Sequence, residues 1–463
     1  MTLPLLACAD LRMTDPSPHS SGTVLTHMPA YPVSLFFRLL DWFAKLIERK
    51  GPRLFPVDTT AHQKLLTQGT EGALAIEGSD WHQEEAKLEK LWRTQIHSID
   101  HTLKSSPQPA TSRLGLQAGV KLSLKRRCDV YRYLQAHSDI VTTAIPKPLI
   151  ILGLPRTGST LLQRLLAKDS RFRGLQFWEL LDPVPPLRGR SALLDGRKFK
   201  TELGYKALNL MIPGHLERTD AFHPTAPDYV DEETNLLWSA GVMNAAWWHH
   251  MDPAVVEEIL APAGKRAAYR LLKRSLQLLV SQQPATEHLL LKSPFHGLYL
   301  DTLMETFPDA MLLSLHRDPI EVVQSWISFM GIVSAPSFGA DSVPVKSFVD
   351  PHLRFLKENA TRLADFLPRF EQANPGRHLP LAFESLIENP LKTLEPIYEF
   401  MQLGPPSTED AAQMTQLLKD RATKPTSRGK FSVQQLGLTD AQLRDEFLSY
   451  ETTFGKFLDT KEK

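Results

Sequence analysis

Cysteine is nearly absent, with Cys8 and Cys128 the two in 463 residues. Two thiols cannot build a disulfide framework, and their scarcity points to a reducing compartment, so a cytoplasmic location is expected. Charge of one sign is missing too: 53 Lys and Arg stand against 52 Asp and Glu, a net charge of +1. That balance argues against nucleic acid or an acidic membrane surface as the main partner. No run of about 18 uncharged apolar residues occurs, so no membrane-spanning helix is expected. The nearest approach, residues 33–47, is interrupted by Arg38, Asp41 and Lys45. It reads as an amphipathic helix packed on the protein, with contact to a membrane or partner as the lesser alternative. Residues 1–30 lack a basic leader and run through Pro, Ser and His, so disorder rather than a secretory signal is expected there. Internal repeats and long low-complexity tracts are absent. No group of His, Cys, Asp or Glu has metal-ligand spacing, and the neighbours His249 and His250 make a poor ligand pair.

What is present is an ordinary globular composition, 42% hydrophobic and 23% charged, organised around residues 148–167. Leu149 to Leu152 form a continuous apolar run suited to a strand buried on both faces. The chain then turns through Gly153-Leu-Pro-Arg-Thr-Gly158 and resumes with Leu161, Leu162, Leu165 and Leu166 at helical spacing. Such a strand, loop and helix N-terminus form an anion site, because unpaired N–H groups and the helix dipole converge on the loop. Gly153, Gly158 and Thr160 match the spacing of the nucleotide-binding P-loop, but Ser159 stands where its lysine belongs and Arg156 supplies a cation inside the loop instead.

Two further strand-to-helix units follow, and each delivers a cation to the same edge. His288 to Lys292 ends in the lysine, with Ser293 as expected N-cap and Pro294 at the first helical position. Ala310 to Arg317 is the other, followed by a helix opening at Asp318-Pro319; Leu379–Phe383 is a fourth candidate strand. Buried strands alternating with helices imply an α/β fold: a P-loop-like parallel sheet flanked by helices, with ligands at the strands' carboxyl ends. A helical region is expected over 31–145, with segments near Thr60–Leu66, Ser79–Leu103 and Leu114–Ala136. The main domain is expected over 146–463, with a helical insertion at 190–280 that shapes an acceptor pocket. Lys125, Arg126, Arg127 and Arg132 are expected on a solvated helix face.

Arg317-Asp-Pro-Ile-Glu-Val-Val-Gln-Ser325 places an arginine at a strand end and a hydroxyl two helical turns on, a pair able to grip a phosphate. Pro155-Arg-Thr-Gly-Ser-Thr160 resembles the 5′-phosphosulfate-binding loop of the sulfotransferase superfamily, and the Arg317 run resembles its 3′-phosphate motif. The chain looks most like the bacterial-type branch. The resemblance implies a transferase that moves a sulfuryl group from 3′-phosphoadenosine-5′-phosphosulfate (PAPS) to a hydroxyl or amine of a small-molecule acceptor, apolar or aromatic, without a metal. It implies donor binding by Arg156, Thr157, Gly158, Ser159, Thr160, Arg317 and Ser325, with Arg428 and Lys430 as further candidates from a C-terminal Arg-Gly-Lys. Lys292 is expected to stabilise charge in the transition state. His296 and Glu179 compete as catalytic base, with His223 a weaker third. The alternatives are a P-loop small-molecule kinase and a non-catalytic nucleotide-binding protein on the same fold.

Overall fold

A computed structural model describes residues 24–458 except 30–33, 50, 52–53, 57, 106–108, 186–194, 243, 284–286, 339–342 and 423–429. Four helices come first: α1 (Leu35–Glu48), α2 (Thr59–Glu77), α3 (His82–Ser105) and α4 (Ala110–Ala136). They extend the helical segments read from the sequence by up to a few turns. Strand β1 (Pro148–Gly153) and helix α5 (Ser159–Leu166) follow, then β2 (Phe172–Gly174) and α6 (Phe177–Leu181). The next stretch is helical: α7 (Arg197–Met211), α8 (His215–Phe222), α9 (Thr234–Ser239), α10 (Pro253–Leu260) and α11 (Arg266–Gln282). The remaining core elements are β3 (His288–Lys292), α12 (Leu300–Thr306), β4 (Met311–His316), α13 (Pro319–Phe338), α14 (Val345–Ala373) and β5 (His378–Ala382). Helices α15 (Phe383–Glu388), α16 (Glu395–Phe400), α17 (Thr408–Ala422), α18 (Asp440–Glu446) and α19 (Leu448–Phe454) complete the described chain.

The five strands form one sheet in the order β2-β3-β1-β4-β5, every neighbouring pair parallel. Strand β1 is central, buried along its whole length, and its side chains alternate between two cores. Ile150 and Leu152 join the cluster that contains α10, α11, α14 and the N-terminal helices, whereas Leu149 and Ile151 join the cluster of α5, α16 and α17. Burial on both faces is why these strands are nearly uninterrupted Leu and Ile. With β3 on one side of β1 and β4 on the other, the ends of both neighbours flank the loop that leaves β1.

Several local expectations are corrected. Arg126 and Arg127 are buried rather than solvated: Arg127 pairs with the buried Glu85, and Arg126 donates to the Asn235 carbonyl at 3.2 Å. Lys125 and Arg132 do lie outside, both paired with Asp129. Ser293-Pro294 does not open a helix; a 3-10 turn covers His296–Leu298 and α12 begins at Leu300. Within the helical insertion, Trp248 is a core side chain at 1% exposure and Trp247 packs on Gly119 of α4. Of the stretch expected to be disordered, residues 24–29 are pinned: Met28 is fully buried and its N–H donates to the Val343 carbonyl at 2.7 Å. Residues 1–23 and 30 lie outside the described residues.

Candidate active site

The loop after β1 reverses tightly enough to demand unusual backbone. Gly153 (φ +140°) and Gly158 (φ +80°) have positive φ, and so does Arg156 (φ +70°), which L residues other than Asn and Asp seldom adopt. A Cβ on Gly153 would stand 2.5 Å from the Leu315 carbonyl of β4. A Cβ on Gly158 would press on Phe383 and Leu386 at 3.1 Å. The Thr157 hydroxyl is turned inward to the Leu154 carbonyl at 2.8 Å, closing the loop on itself. Ser159 and Thr160 begin α5, where N–H groups have no intrahelical acceptor, and both remain partly accessible.

Cations converge on this loop from three elements. The Arg156 guanidinium donates from Nε to Ser325 Oγ on α13 at 3.1 Å and from Nη2 to the Phe222 carbonyl at the end of α8 at 2.7 Å. It lies over the rings of Phe329 (5.0 Å) and Phe222 (5.8 Å). Arg317, leaving β4, donates from Nη1 to the Arg156 carbonyl at 2.9 Å and lies over Phe383 at 4.2 Å. Glu321 ties Arg317 (3.3 Å) to Lys430 (2.9 Å), so three of the expected cations meet around one carboxylate and the loop. Arg428 lies outside the described residues. Lys292 ends β3 and donates to Thr160 Oγ1 at 3.0 Å while pairing with Glu232.

Burial, and then the nearby Arg317 charge, lower the Arg156 pKa to about 10, and burial lowers that of Arg317. Two neighbouring, largely desolvated cations beside a helix N-terminus fit a ligand with several phosphate or sulfate oxygens.

The base candidates have different surroundings. Glu179 is committed structurally: Oε1 takes the Arg173 guanidinium at 2.8 Å, and Oε2 takes the Gln176 N–H at 2.8 Å in a capping box that starts α6. His296 is fully buried, with Nδ1 at 2.8 Å from the Tyr269 hydroxyl and Nε2 at 2.6 Å from Glu233 Oε1. The other oxygen of Glu233 accepts the Lys292 N–H at 2.9 Å, so His296 holds the carboxylate that fixes the end of β3. His223, partly accessible, faces Asp231 at 3.3 Å, and its ring packs on Phe329 beside Arg156. Burial pushes the Asp231 carboxyl up, but His223, Arg164 and Lys292 outweigh it and hold the group ionised below the usual carboxylate range.

Asp231, Glu232 and Glu233, a run in the helical insertion to which the sequence alone assigned no role, serve His223, Lys292 and His296 in turn. The acid run itself was the available signal. In space, ligand atoms of His223, Asp231 and Glu232 lie within 4.8 Å of one another, although no spacing in the sequence suggests a metal site. Asp231 and Glu232 already face the cations Arg164 (3.9 Å) and Lys292.

Residues 148–407 match the profile described as the Sulfotransferase family, which is more than half of the chain. The protein belongs to this sulfotransferase family and is a transferase. Among curated relatives, the omega-hydroxy-beta-dihydromenaquinone-9 sulfotransferase Stf3 of Mycobacterium tuberculosis and its counterpart in Mycobacterium bovis are each 26% identical over 318 residues, 65% of this chain and 74% of theirs. The fold is that of sulfotransferase STF9 from Mycobacterium avium, with TM-score 0.64 at 23% identity, covering 79% of this chain and 91% of that one. Sulfotransferase STF1 from Mycobacterium tuberculosis H37Rv matches at TM-score 0.64 and 20% identity, covering 83% and 97%. Among the described residues, no helix of this sulfotransferase is long and apolar enough to cross a membrane.

Proposed function

We propose that this sulfotransferase moves the sulfuryl group of PAPS onto a hydroxyl of a lipophilic small-molecule acceptor. The observation that carries the proposal is the convergence of Arg156, Arg317 and Lys292 with the start of α5 at the carboxyl ends of β1, β4 and β3. The donor, implied by the family, supplies an activated sulfuryl group that leaves its bridging oxygen as the acceptor oxygen attacks in line. Arg156 and the loop N–H groups from Thr157 to Thr160 hold the 5′ end of the donor. Arg317 and Ser325, with Lys430 and Arg428, hold the 3′-phosphate. Lys292 and the Thr160 hydroxyl it touches stabilise the negative charge that grows on the leaving side.

His223 takes the acceptor's proton in this scheme. Asp231 receives Nε2–H and leaves Nδ1 free to accept, an orientation a general base requires. His296 and Glu179 then act as positioning residues, the first through Glu233 and the second through the cap of α6. A lipophilic alcohol is supported by the Phe222 and Phe329 wall beside Arg156. It is supported also by the hydroxylated dihydromenaquinone in the name of the relative Stf3.

The test is a thermal-shift titration with 3′,5′-phosphoadenosine against ATP and GTP with magnesium, repeated on Arg317→Ala, followed by a turnover screen over long-chain alcohols. A ligand at 100 times its Kd adds about 2.7 kcal/mol to folded-state stability, which is readily seen. Stabilisation by 3′,5′-phosphoadenosine that is lost in Arg317→Ala supports the assignment. Stabilisation by ATP or GTP alone returns the loop to the kinases, and binding without turnover leaves a nucleotide-binding protein.

A further inference from the structure

Helix α1 is docked on the protein through its polar side. The Asp41 carboxylate accepts from the Thr111 N–H and hydroxyl, both at 2.9 Å. Glu48 accepts from the Leu54 N–H at 2.7 Å and pairs with Arg113 of α4. At about 100° per residue, both acids share the inner face with Phe37 and with Ala44, the helix's buried residue. The opposite arc, about 160° wide, is apolar and faces water. Leu35 is 64% exposed, Phe36 62%, Phe43 53% and Ile47 53%, with Leu39 and Leu46 beside them.

A second apolar stripe lies next to it. The Ser34 N–H donates to the Met211 carbonyl at 3.0 Å, tying the start of α1 to the end of α7, whose Phe199, Leu203 and Leu210 are 66%, 57% and 68% exposed. Scattered apolar residues on a surface are ordinary, but α1 exposes a continuous apolar arc and α7, joined to it at Ser34 and Met211, exposes an apolar stripe of its own, the kind of surface that marks a docking site. Charge selects the occupant. Arg38, Lys45 and Arg49 are exposed, and at about 100° per residue they fall together along one border of the apolar arc, next to Trp42. Both acids of the helix are turned inward. A second copy packed antiparallel on this face in a two-fold contact would bring that cationic border towards its own counterpart. An anionic surface complements it.

We propose that α1, with the exposed face of α7, lies in the surface of a bilayer that carries anionic lipid. The apolar arc enters the boundary between headgroups and acyl chains, the Trp42 indole sits at its edge, and Arg38, Lys45 and Arg49 meet lipid phosphates. The near-zero net charge conceals this site because the cations are local to one helix border. Helix α8, about 12 Å long, runs on from α7 to Phe222, whose carbonyl accepts from Arg156, so the bilayer face and the candidate active site are linked by one helix.

The full chain is tested by flotation with phosphatidylcholine vesicles and with phosphatidylcholine–phosphatidylglycerol vesicles, at low and high salt. Binding to the anionic vesicles is expected, weakened by salt, weakened more than about tenfold in Leu39→Glu/Phe43→Glu, and about fivefold for each cation removed in Arg38→Gln and Lys45→Gln. The substituted side chains are exposed, so unchanged melting curves check the fold. If the double glutamate variant does not fold, the two glutamine variants decide by themselves. No flotation with anionic vesicles overturns the proposal, as does binding that survives these substitutions in folded protein. A concentration-dependent dimer by light scattering that the glutamates abolish, without vesicle binding, assigns the face to a second copy instead.

Discussion

Arg317 touches the loop through the Arg156 carbonyl and Glu321 through its other nitrogen, so it contributes both shape and charge to the candidate donor site. Arg317→Ala is expected to lower affinity for 3′,5′-phosphoadenosine by about 10²-fold, measured by calorimetry, with little loss of fold. Lys292 contacts Thr160 and Glu232 at the point where leaving-group charge is expected. Lys292→Met is therefore expected to lower kcat by about 10²–10³ with a small effect on donor affinity, a split read by steady-state kinetics. The proton acceptor separates by pH profile. His223→Asn should cost about 10²–10⁴ in kcat/KM and flatten the acid limb, whereas Glu179→Gln should keep the profile and lose about 1–3 kcal/mol of stability through Arg173 and the cap. At this scale the meeting of Arg156, Arg317 and Ser325 at one loop was legible, since motif spacing places the two arginines at neighbouring strand ends and Ser325 on the helix after Arg317. The surroundings of the candidate bases were not legible, because the Asp231 that faces His223 and the Glu233 that faces His296 come from another segment folded over the site.

Elements buried on both faces announced themselves as apolar runs, and β1, β3, β4 and β5 all lie within a residue or two of their expected positions. Strand β2 gave no such signal: it is three residues long and sits at the sheet edge. The expected helix at Ser293-Pro294 failed for a local reason. Ser293 Oγ is 3.2 Å from the Phe295 N–H, as a cap would be, but it also bonds the Thr234 hydroxyl at 2.7 Å, and the chain is held in a 3-10 turn before α12. The β1–α5 loop depends on approach rather than propensity. Gly153→Ala places a Cβ against the Leu315 carbonyl at a φ of +140°, and a loss on the order of 3 kcal/mol is expected in urea unfolding.

Over the whole molecule, several histidines are buried in the cores. Burial lowers His352 from an ordinary 6.5 to about 3, among Trp248, Trp326 and Phe348. Burial, and then His378, lowers His316 to about 3 as well. The unfolded chain binds more protons than the folded one between about pH 6.5 and 3, so stability is full above about 6.5 and falls as pH drops through that window. At pH 5 each such group costs about 2 kcal/mol relative to neutrality, and melting temperature should fall steeply from pH 7 to 5. His352→Phe should soften that fall, as calorimetry at the two pH values would show. The sequence by itself determined the parallel α/β core, the glycine-bounded loop between β1 and α5 and the cations at its edge, because these follow from short-range pattern: buried runs, tight turns and strand ends. Only the tertiary structure decided which histidine faces a carboxylate in reach of the site, which arginines are buried, and that α1 turns its acids inward and its apolar arc outward. Those outcomes depend on contacts between segments far apart in the chain, and no local spacing encodes which partner a side chain meets.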